Sequence, residues 1–277
     1  MIRANAARCP ISARCGIPDV PRSTYYWMTG HPGTERADPI AGDVRAVRRD
    51  GRERHGARKI KAALERKGCH RVQETHRQHH ARTGHAGAYA RGRSEPHGTR
   101  ADEARLANLL DRGFDGYAPH TRPAGDLAYV RVGGDWAYVC LPAGLADRGI
   151  VGHSAGRTRD AGLVLGAFAA LDFPLADVQV FHADRGGGFD DTGIDGPLDV
   201  FDVKGSLSRK GNPYGNAVAE PTDRLLKKEL VYRNHYATVG QLRRGPDDCV
   251  WWSDDRRLHS TLGYRSPKEF TEQGLVL

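Results

Sequence analysis

Three acidic residues, set among apolar segments at fixed spacing, constrain the fold of this chain most. Asp126 precedes the alternating segment L-A-Y-V-R-V, Asp184 ends V-Q-V-F-H-A-D, and Glu220 follows G-N-P-Y-G-N-A-V-A. These patterns predict that the two aspartates lie at strands and that Glu220 lies in the first turn of a helix. Carboxylates are the ligands that hard divalent cations prefer, and two such ions can act together on a phosphodiester. The set therefore indicates a metal site for phosphoryl transfer on nucleic acid.

Each acidic residue also has a purely structural interpretation when it is taken alone. Asp126 is compatible with a solvated strand start, and Asp184 with an ordinary turn beside glycines. Glu220 is compatible with a surface acid that complements a helix dipole. Only their common order and spacing, with 35 residues between Asp184 and Glu220, favour one site.

The apolar pattern after residue 109 predicts a mixed α/β domain. Strands are expected at 127–132, 136–141 and 150–154, joined by short turns into an antiparallel meander. Two later strands and three helices complete the expected order; the strands are 178–182 and 203–207, and the helices are 161–171, 193–200 and 217–232. Asn216 is expected to cap the last helix.

The first hundred residues differ from the rest in pattern and in charge. Residues 1–100 contain 21 Lys and Arg against 9 Asp and Glu, whereas residues 101–277 contain 21 against 25. A basic segment suits a polyanion such as DNA, although basic stretches are also common as plain solvated surface. Residues 30–56 are predicted to be a linker, followed by an amphipathic helix with Ile60, Ala63 and Leu64 on one face and Gly68 at its end.

Residues 9–28 have the outline of a helix-turn-helix. The second helix of such a unit enters the major groove with its early residues at base edges, which predicts that Arg22, Ser23 and Tyr25 face DNA. A small two-helix cap on a core is the alternative.

No apolar run approaches the length of a membrane span and no signal peptide is evident, so we expect a cytoplasmic protein with no membrane partner. The isolated cysteines predict reduced thiols.

Several motifs together resemble one family, the second-frame (OrfB-type) subunit of bacterial insertion-sequence transposases, whose catalytic core is shared with retroviral integrases. The resemblance covers roughly residues 98–273. The motifs that carry it are V-F-H-A-D-R-G, S-R-K-G-N-P-Y-G-N-A-V-A-E, L-K-K-E-L-V-Y and R-L-H-S-T-L-G-Y-R-S-P-K-E-F. It implies a ribonuclease-H-like core, a mixed five-stranded sheet with flanking helices, at 106–273. A helix-turn-helix-like segment at 1–30 and a basic helical region at 31–105 would precede that core.

The resemblance also implies an activity, which is metal-dependent cleavage at transposon ends and strand transfer into target DNA. Asp126, Asp184 and Glu220 would be catalytic and would hold two Mg²⁺ or Mn²⁺ ions. Lys227, two helical turns after Glu220, would meet a phosphate. Further candidates for DNA contact are Lys210, Arg224 and Lys228. The implied partners are double-stranded DNA at the inverted-repeat ends and target, further copies of the chain on DNA, and a first-frame transposase subunit, all at the bacterial nucleoid.

Departures from the family pattern leave an alternative open, a catalytically inactive DNA-binding transposase remnant. Gly215 and Gly187 replace the usual Asp and Ser, and W-S-D-D-R-R replaces W-Y-N-x-x-R at 252–257. If the last helix began at Ala217, Pro221 would break its hydrogen-bond ladder and displace Glu220.

The histidine-rich stretch from Arg71 to about Ala86 is best explained as an out-of-frame insert, which the coding DNA would test. A ribonuclease H or hydrolytic nuclease shares the carboxylates but does not predict the flanking motifs.

Overall fold

The computed structural model describes residues 10–16, 20–31, 40–69, 106–184, 189, 192–208 and 216–277. The proposed insert at 71–86, Gly187, Lys210 and Gly215 lie outside these ranges. The chain divides into two compact units, Met1–Asp43 and Val44–Leu277. This division does not test the expected boundaries near residues 30 and 105, which stay predictions. Among the described residues, no helix has the length and apolar character that crossing a bilayer requires.

The first unit contains the two short helices that the sequence predicts. Helix α1 spans Ile11–Gly16 and α2 spans Arg22–Gly30. Between them the amide of Val20 donates to the carbonyl of Cys15. Proline occupies the position before α2, where its fixed φ and missing N–H cost nothing.

The predicted linker at 30–56 is wrong in its second half, because helix α3 forms at Ala41–Asp50. The sequence there is rich in Arg and Asp, but Val44 and Val47 are three residues apart and both are buried. Helix α4 at Ala57–Arg66 is the expected amphipathic helix, with Ile60 and Leu64 buried as predicted, but Ala62 is buried where Ala63 was expected. Gly68, two residues after the helix, closes it as predicted, with a φ of +82° that only glycine adopts readily.

The core sheet is mixed, as expected. Strands β2 (Leu127–Val132), β3 (Asp135–Cys140) and β5 (Ser154–Gly156) form the antiparallel meander in the order β2-β3-β5. The third strand lies at 154–156 and not at 150–154, because Ile150 is held instead in an isolated bridge with Ala143.

A second set of strands has the order β4-β1-β6-β7, and two of its members were not predicted. They are β1 (Pro123–Gly125) and β4 (Ala143–Gly144). The others are the expected β6 (Val180–Ala183) and β7 (Lys204–Leu207), and β6 is parallel to both β1 and β7. Asp126 alone separates β1 from β2, and two residues separate β3 from β4, so the two sets join into one run of five strand positions in the ribonuclease-H-like order.

Helices cover both faces of this sheet. Helices α5 (Ala161–Phe168) and α6 (Thr192–Val200) pack with Leu127, Phe181 and Leu207 in one apolar cluster. Helices α7 (Ala219–Glu229) and α8 (Val239–Asp255) cover the other face, where Leu226 and Leu242 pack against the β2–β3 hairpin. Helix α9 spans Pro267–Glu272.

A buried ion cluster links α7 to the region around α3 and α8. The carboxylate of Glu229, fully buried at the end of α7, accepts hydrogen bonds from Arg54, at 2.9 Å, and from Arg257. Both guanidinium groups also lie against the ring of Trp252. A buried carboxylate is tolerated only when it is paired in this way, so the cluster fixes where α7 ends.

Asp254 predicts a stability change with pH. Burial raises the pKa of this carboxyl, which accepts a hydrogen bond from the amide of Ile150, to about 8. The unfolded value is near 3.8, so the folded state binds the proton more tightly and stability falls as pH rises from about 4 to about 8. Asp254→Asn keeps an oxygen acceptor without a charge. We expect it to raise the free energy of unfolding at pH 8.5 by on the order of a few kcal/mol.

Urea denaturation across pH 5 to 9 measures this effect. Asp255→Asn is the control, because Asp255 pairs with Lys268 at 2.6 Å and gains nothing from neutralisation. Equal pH dependence in the wild type and in Asp254→Asn would contradict the prediction.

Candidate active site

The two aspartates are brought side by side by the pairing of two parallel strands. Gly125, the last residue of β1, pairs with Ala183, the last residue of β6. The next residue along each strand is Asp126 and Asp184 respectively. Because neighbouring strands lie about 4.8 Å apart, this register sets the two carboxylates next to each other.

The start of α7 covers the same face of the sheet. Ala124 of β1 and Val180 of β6 pack in one apolar cluster with Val218 and Ala219. Side chains alternate between the faces of a strand, so Asp126 shares its face with Ala124, and Asp184 shares its face with Val180. Glu220 follows Ala219 directly. The fold thus directs all three predicted acidic residues to one region.

Pro221 does not break α7. The helix begins at Ala219, two residues later than predicted, which makes Pro221 a residue of the first turn. The first N–H groups of a helix have no intrahelical partner, and the carbonyl of Ala217 lies outside the helix. The predicted displacement of Glu220 by Pro221 is therefore wrong, because it assumed a helix that starts at Ala217.

Asn216 holds the start of α7 to the sheet and does not cap the helix. Its side-chain amide donates to the carbonyl of Gly125 at 2.9 Å, and the helix has no side-chain cap at Val218. This bond joins the residue before Asp126 to the segment that leads into Glu220. The predicted capping role is wrong because a buried carbonyl of the neighbouring strand is the acceptor within reach.

The predicted site residues are influenced by neighbouring acidic charges. Burial, and then the charges of Asp184 and Asp223, raise the pKa of Asp126 to about 8. Burial and the same two charges raise the pKa of Glu220, while Arg224 opposes them. Gathered carboxylates that repel each other are the oxygen-donor set that suits a divalent cation.

Asp223, one turn after Glu220, is a residue that the sequence interpretation missed. Its charge acts on both Asp126 and Glu220, and its Oδ1 is buried without a hydrogen-bond partner among the described residues. Its Oδ2 accepts a 2.6 Å hydrogen bond from the ammonium of Lys227. The spacing of four residues between Asp223 and Lys227 was the signal available in the sequence.

Lys227 therefore lies at the site, but with a protein partner. Burial lowers the pKa of Lys227, but the charges of Asp223 and Asp126 outweigh this effect, so the pKa is raised overall. Arg224, also predicted to contact DNA, is exposed beside Glu220, and Lys228 is partly buried. In α2, Arg22 and Ser23 are exposed and Tyr25 packs edge-on against Tyr26. Their contacts with DNA stay predictions.

Within the described ranges, no three His, Cys, Asp or Glu side chains form a group arranged to hold a metal ion. Asp126 and Asp184 are partly buried, whereas Glu220 is exposed. The ligand set Asp126, Asp184 and Glu220 accordingly stays a prediction, supported by register, shared face and mutual repulsion.

Comparison with known proteins identifies relatives along most of the chain. It is 26% identical over 239 residues to the transposase for insertion sequence element IS904 of Lactococcus lactis subsp. lactis (strain IL1403), covering 83% of this chain and 92% of that protein. It is 30% identical over 175 residues to transposase InsF for insertion sequence IS3fB of Escherichia coli (strain K12). The chain is a relative of the insertion-sequence transposases. Its match spans 60% of the length of that InsF protein, and no protein-family model matches it.

Solved structures that resemble this transposase relative come from retroviruses. One is the simian T-cell lymphotropic virus intasome in complex with PP2A regulatory subunit B56 gamma, with a TM-score of 0.47, 14% identity and coverage of 76% of this chain and 69% of that one. Another is the catalytic core domain of BIV integrase, with a TM-score of 0.41, 18% identity and coverage of 56% and 96%.

The bond between Asn216 and Gly125 yields a test of how α7 is held. Asn216→Ala removes a buried donor and leaves a strand carbonyl without its partner, so we expect the free energy of unfolding to fall by about 1–2 kcal/mol. Asn234→Ala is the matched control, because that amide also donates to a carbonyl, at 2.8 Å, but is exposed. Equal effects of the two substitutions in urea denaturation would show that the bond does not hold α7.

Proposed function

We propose that this chain is a DNA transposase that cuts at transposon ends and joins them to target DNA. The observation that supports the proposal is the register of β1 with β6, in which Gly125 and Ala183, the residues directly before Asp126 and Asp184, are paired. The relationship to the IS904 and IS3 transposases supports the substrate class. Asp126, Asp184 and Glu220 are the proposed catalytic residues.

Asp126, Asp184 and Glu220 would hold two Mg²⁺ or Mn²⁺ ions, because carboxylate oxygens are the donors that these cations prefer. When bound, such ions stabilise the charge that develops on the phosphodiester oxygens. In the first step, water attacks a phosphodiester at the transposon end and leaves a 3′ hydroxyl. In the second, that hydroxyl attacks a phosphodiester of the target, so a bond to the target forms as its backbone breaks.

The chain's own groups position the DNA for these steps. Arg224 lies beside Glu220 at the open end of α7 and is suited to a backbone phosphate. Lys227 is suited to a second phosphate once Asp223 releases it. Arg22 and Ser23, which are exposed at the start of α2, would contact the DNA of the transposon ends. The excess positive charge of residues 1–100 would add affinity for DNA of any sequence.

Conversion of the aspartates to asparagine tests the catalytic proposal. We expect Asp126→Asn and Asp184→Asn each to lower Mg²⁺-dependent cleavage of a transposon-end duplex at least about a hundredfold, because the ion loses a charged ligand. DNA affinity should be retained. Asp126→Asn should also unfold at a higher temperature, since a buried charge is removed.

Asp199→Asn, an exposed substitution on α6, is the control for these variants and should cleave as the wild type does. A wild type that binds transposon ends but cleaves them with neither Mg²⁺ nor Mn²⁺ would replace the proposal with the alternative, an inactive DNA-binding remnant. Cleavage that survives in Asp184→Asn would remove this site from the reaction.

The pairing of Lys227 with Asp223 gives a second prediction. Asp223→Asn should free the ammonium for a DNA phosphate, tighten binding to duplex DNA severalfold at low salt and steepen the dependence of log K on log salt by about one. Adding Lys227→Met should abolish the gain. Glu65→Gln is the matched control, because it removes the same charge from another i,i+4 pair, with Lys61. An equal gain in that control would attribute the effect to net charge alone.

A further inference from the structure

A cavity of about 480 Å³ opens beside α7, and none of the proposed catalytic residues lines it. Its walls come from α4, from α7 and from the turn that follows α8. Pro221 and Thr222, the two residues after Glu220, form part of one wall. The cavity thus begins next to the proposed site without including its carboxylates.

Basic side chains dominate the lining of this cavity. They are Lys59, Arg148, Arg224, Arg257 and His259, and Asp115 is the one acidic residue among the lining residues. Asp115 is already bonded to Arg148, and Arg257 is bonded to Glu229 behind the wall. In the part of the chain that the structure describes, Lys59 and Arg224 form no ion pair, although the charge of Arg224 acts on Glu220 and that of Glu229 acts on Lys59. The cavity therefore carries uncompensated positive charge.

Basic groups around Lys59 repel one another. Burial, and then Arg257, lower the pKa of Lys59 to about 7, and only Glu229 opposes them. His259 and His55 are also held neutral by burial, by Arg257 and by Lys59. The Nε2 atom of His259 is buried with no hydrogen-bond partner among the described residues. An anion in the cavity would relieve this repulsion and would partner that nitrogen once it is protonated.

Hydroxyl groups complete the lining in a way that suits a phosphate. Thr222, Ser260 and Thr261 line the cavity beside the cations, and hydroxyls and cations are the side chains that usually contact phosphate oxygens. DNA that reached Glu220 would also pass the cavity, since Pro221 and Thr222, which line it, directly follow Glu220 in the chain. A neighbouring phosphate of the same strand is the anion that this position favours.

We propose that the cavity binds a phosphodiester of the DNA backbone, other than the one that is cut, through Lys59 and Arg224. The inference rests on the proposed function for the identity of the polyanion. Lys59 is the sharper probe of the two, because Arg224 also acts on Glu220. Lys59 comes from α4, so the site would give the region before the catalytic core a direct share in DNA binding.

The test is the salt dependence of duplex DNA affinity. We expect Lys59→Met to weaken binding at low salt and to reduce the slope of log K against log salt by about one, as the loss of one phosphate contact requires. Lys61→Met is the matched control, because Lys61 lies two residues along α4 and pairs with Glu65. It should keep the wild-type slope. Lys59→Arg should retain the slope as well, which separates lost charge from lost packing.

A single neutral methylphosphonate linkage, moved along the strand beside the cleavage position, provides the second readout. At one position it should weaken the wild type and Lys61→Met but leave Lys59→Met unchanged. If Lys59→Met keeps the wild-type slope and responds to every linkage as the wild type does, the cavity is not a phosphate site, whether or not the chain cleaves DNA. If Lys59→Met loses the contact while the wild type cleaves nothing, the phosphate site stands and the catalytic proposal falls.

Discussion

The parallel pairing of β1 with β6 is the constraint on which the rest of the site depends. Asp126 is the one residue between β1, which pairs with β4 and β6, and β2, which pairs with β3. Pairing with β6 therefore ends at Gly125, directly before Asp126. The register that sets Gly125 opposite Ala183 directs Asp126 and Asp184, the next residues along each strand, toward each other.

Helix α7 is fixed over this pair by polar interactions at both of its ends. Asn216 bonds the segment before the helix to the carbonyl of Gly125, and Glu229 is buried between Arg54 and Arg257 at the other end. Apolar packing through Leu226 resists separation of the helix from the sheet but specifies its position along the axis less closely. Directional bonds at the ends supply that position, and with it the place of Glu220.

The sequence predicted the elements whose pattern is local and missed those that depend on distant partners. Strand β2 alternates over six residues and was predicted with its observed bounds, whereas β1 and β4, with three and two residues, are too short to show a period. Helix α3 was taken for a linker because only two valines mark its buried face. Asn216 was assigned as a cap from its residue type, but the acceptor that decides its role lies 91 residues away.

Asp223 shows the same limit at the site itself. Its pairing with Lys227 follows from spacing, but its effect on Asp126 exists only after α7 has packed on the sheet.

Around α7 the charges separate, with acidic groups toward the sheet and Lys59 and Arg224 toward the cavity. The acidic balance of residues 101–277 therefore conceals the basic side chains that this part of the chain contributes to the cavity beside Lys59. A polyanion that crosses α7 is attracted on the cavity side, while the carboxylates opposite it repel phosphate until cations neutralise them.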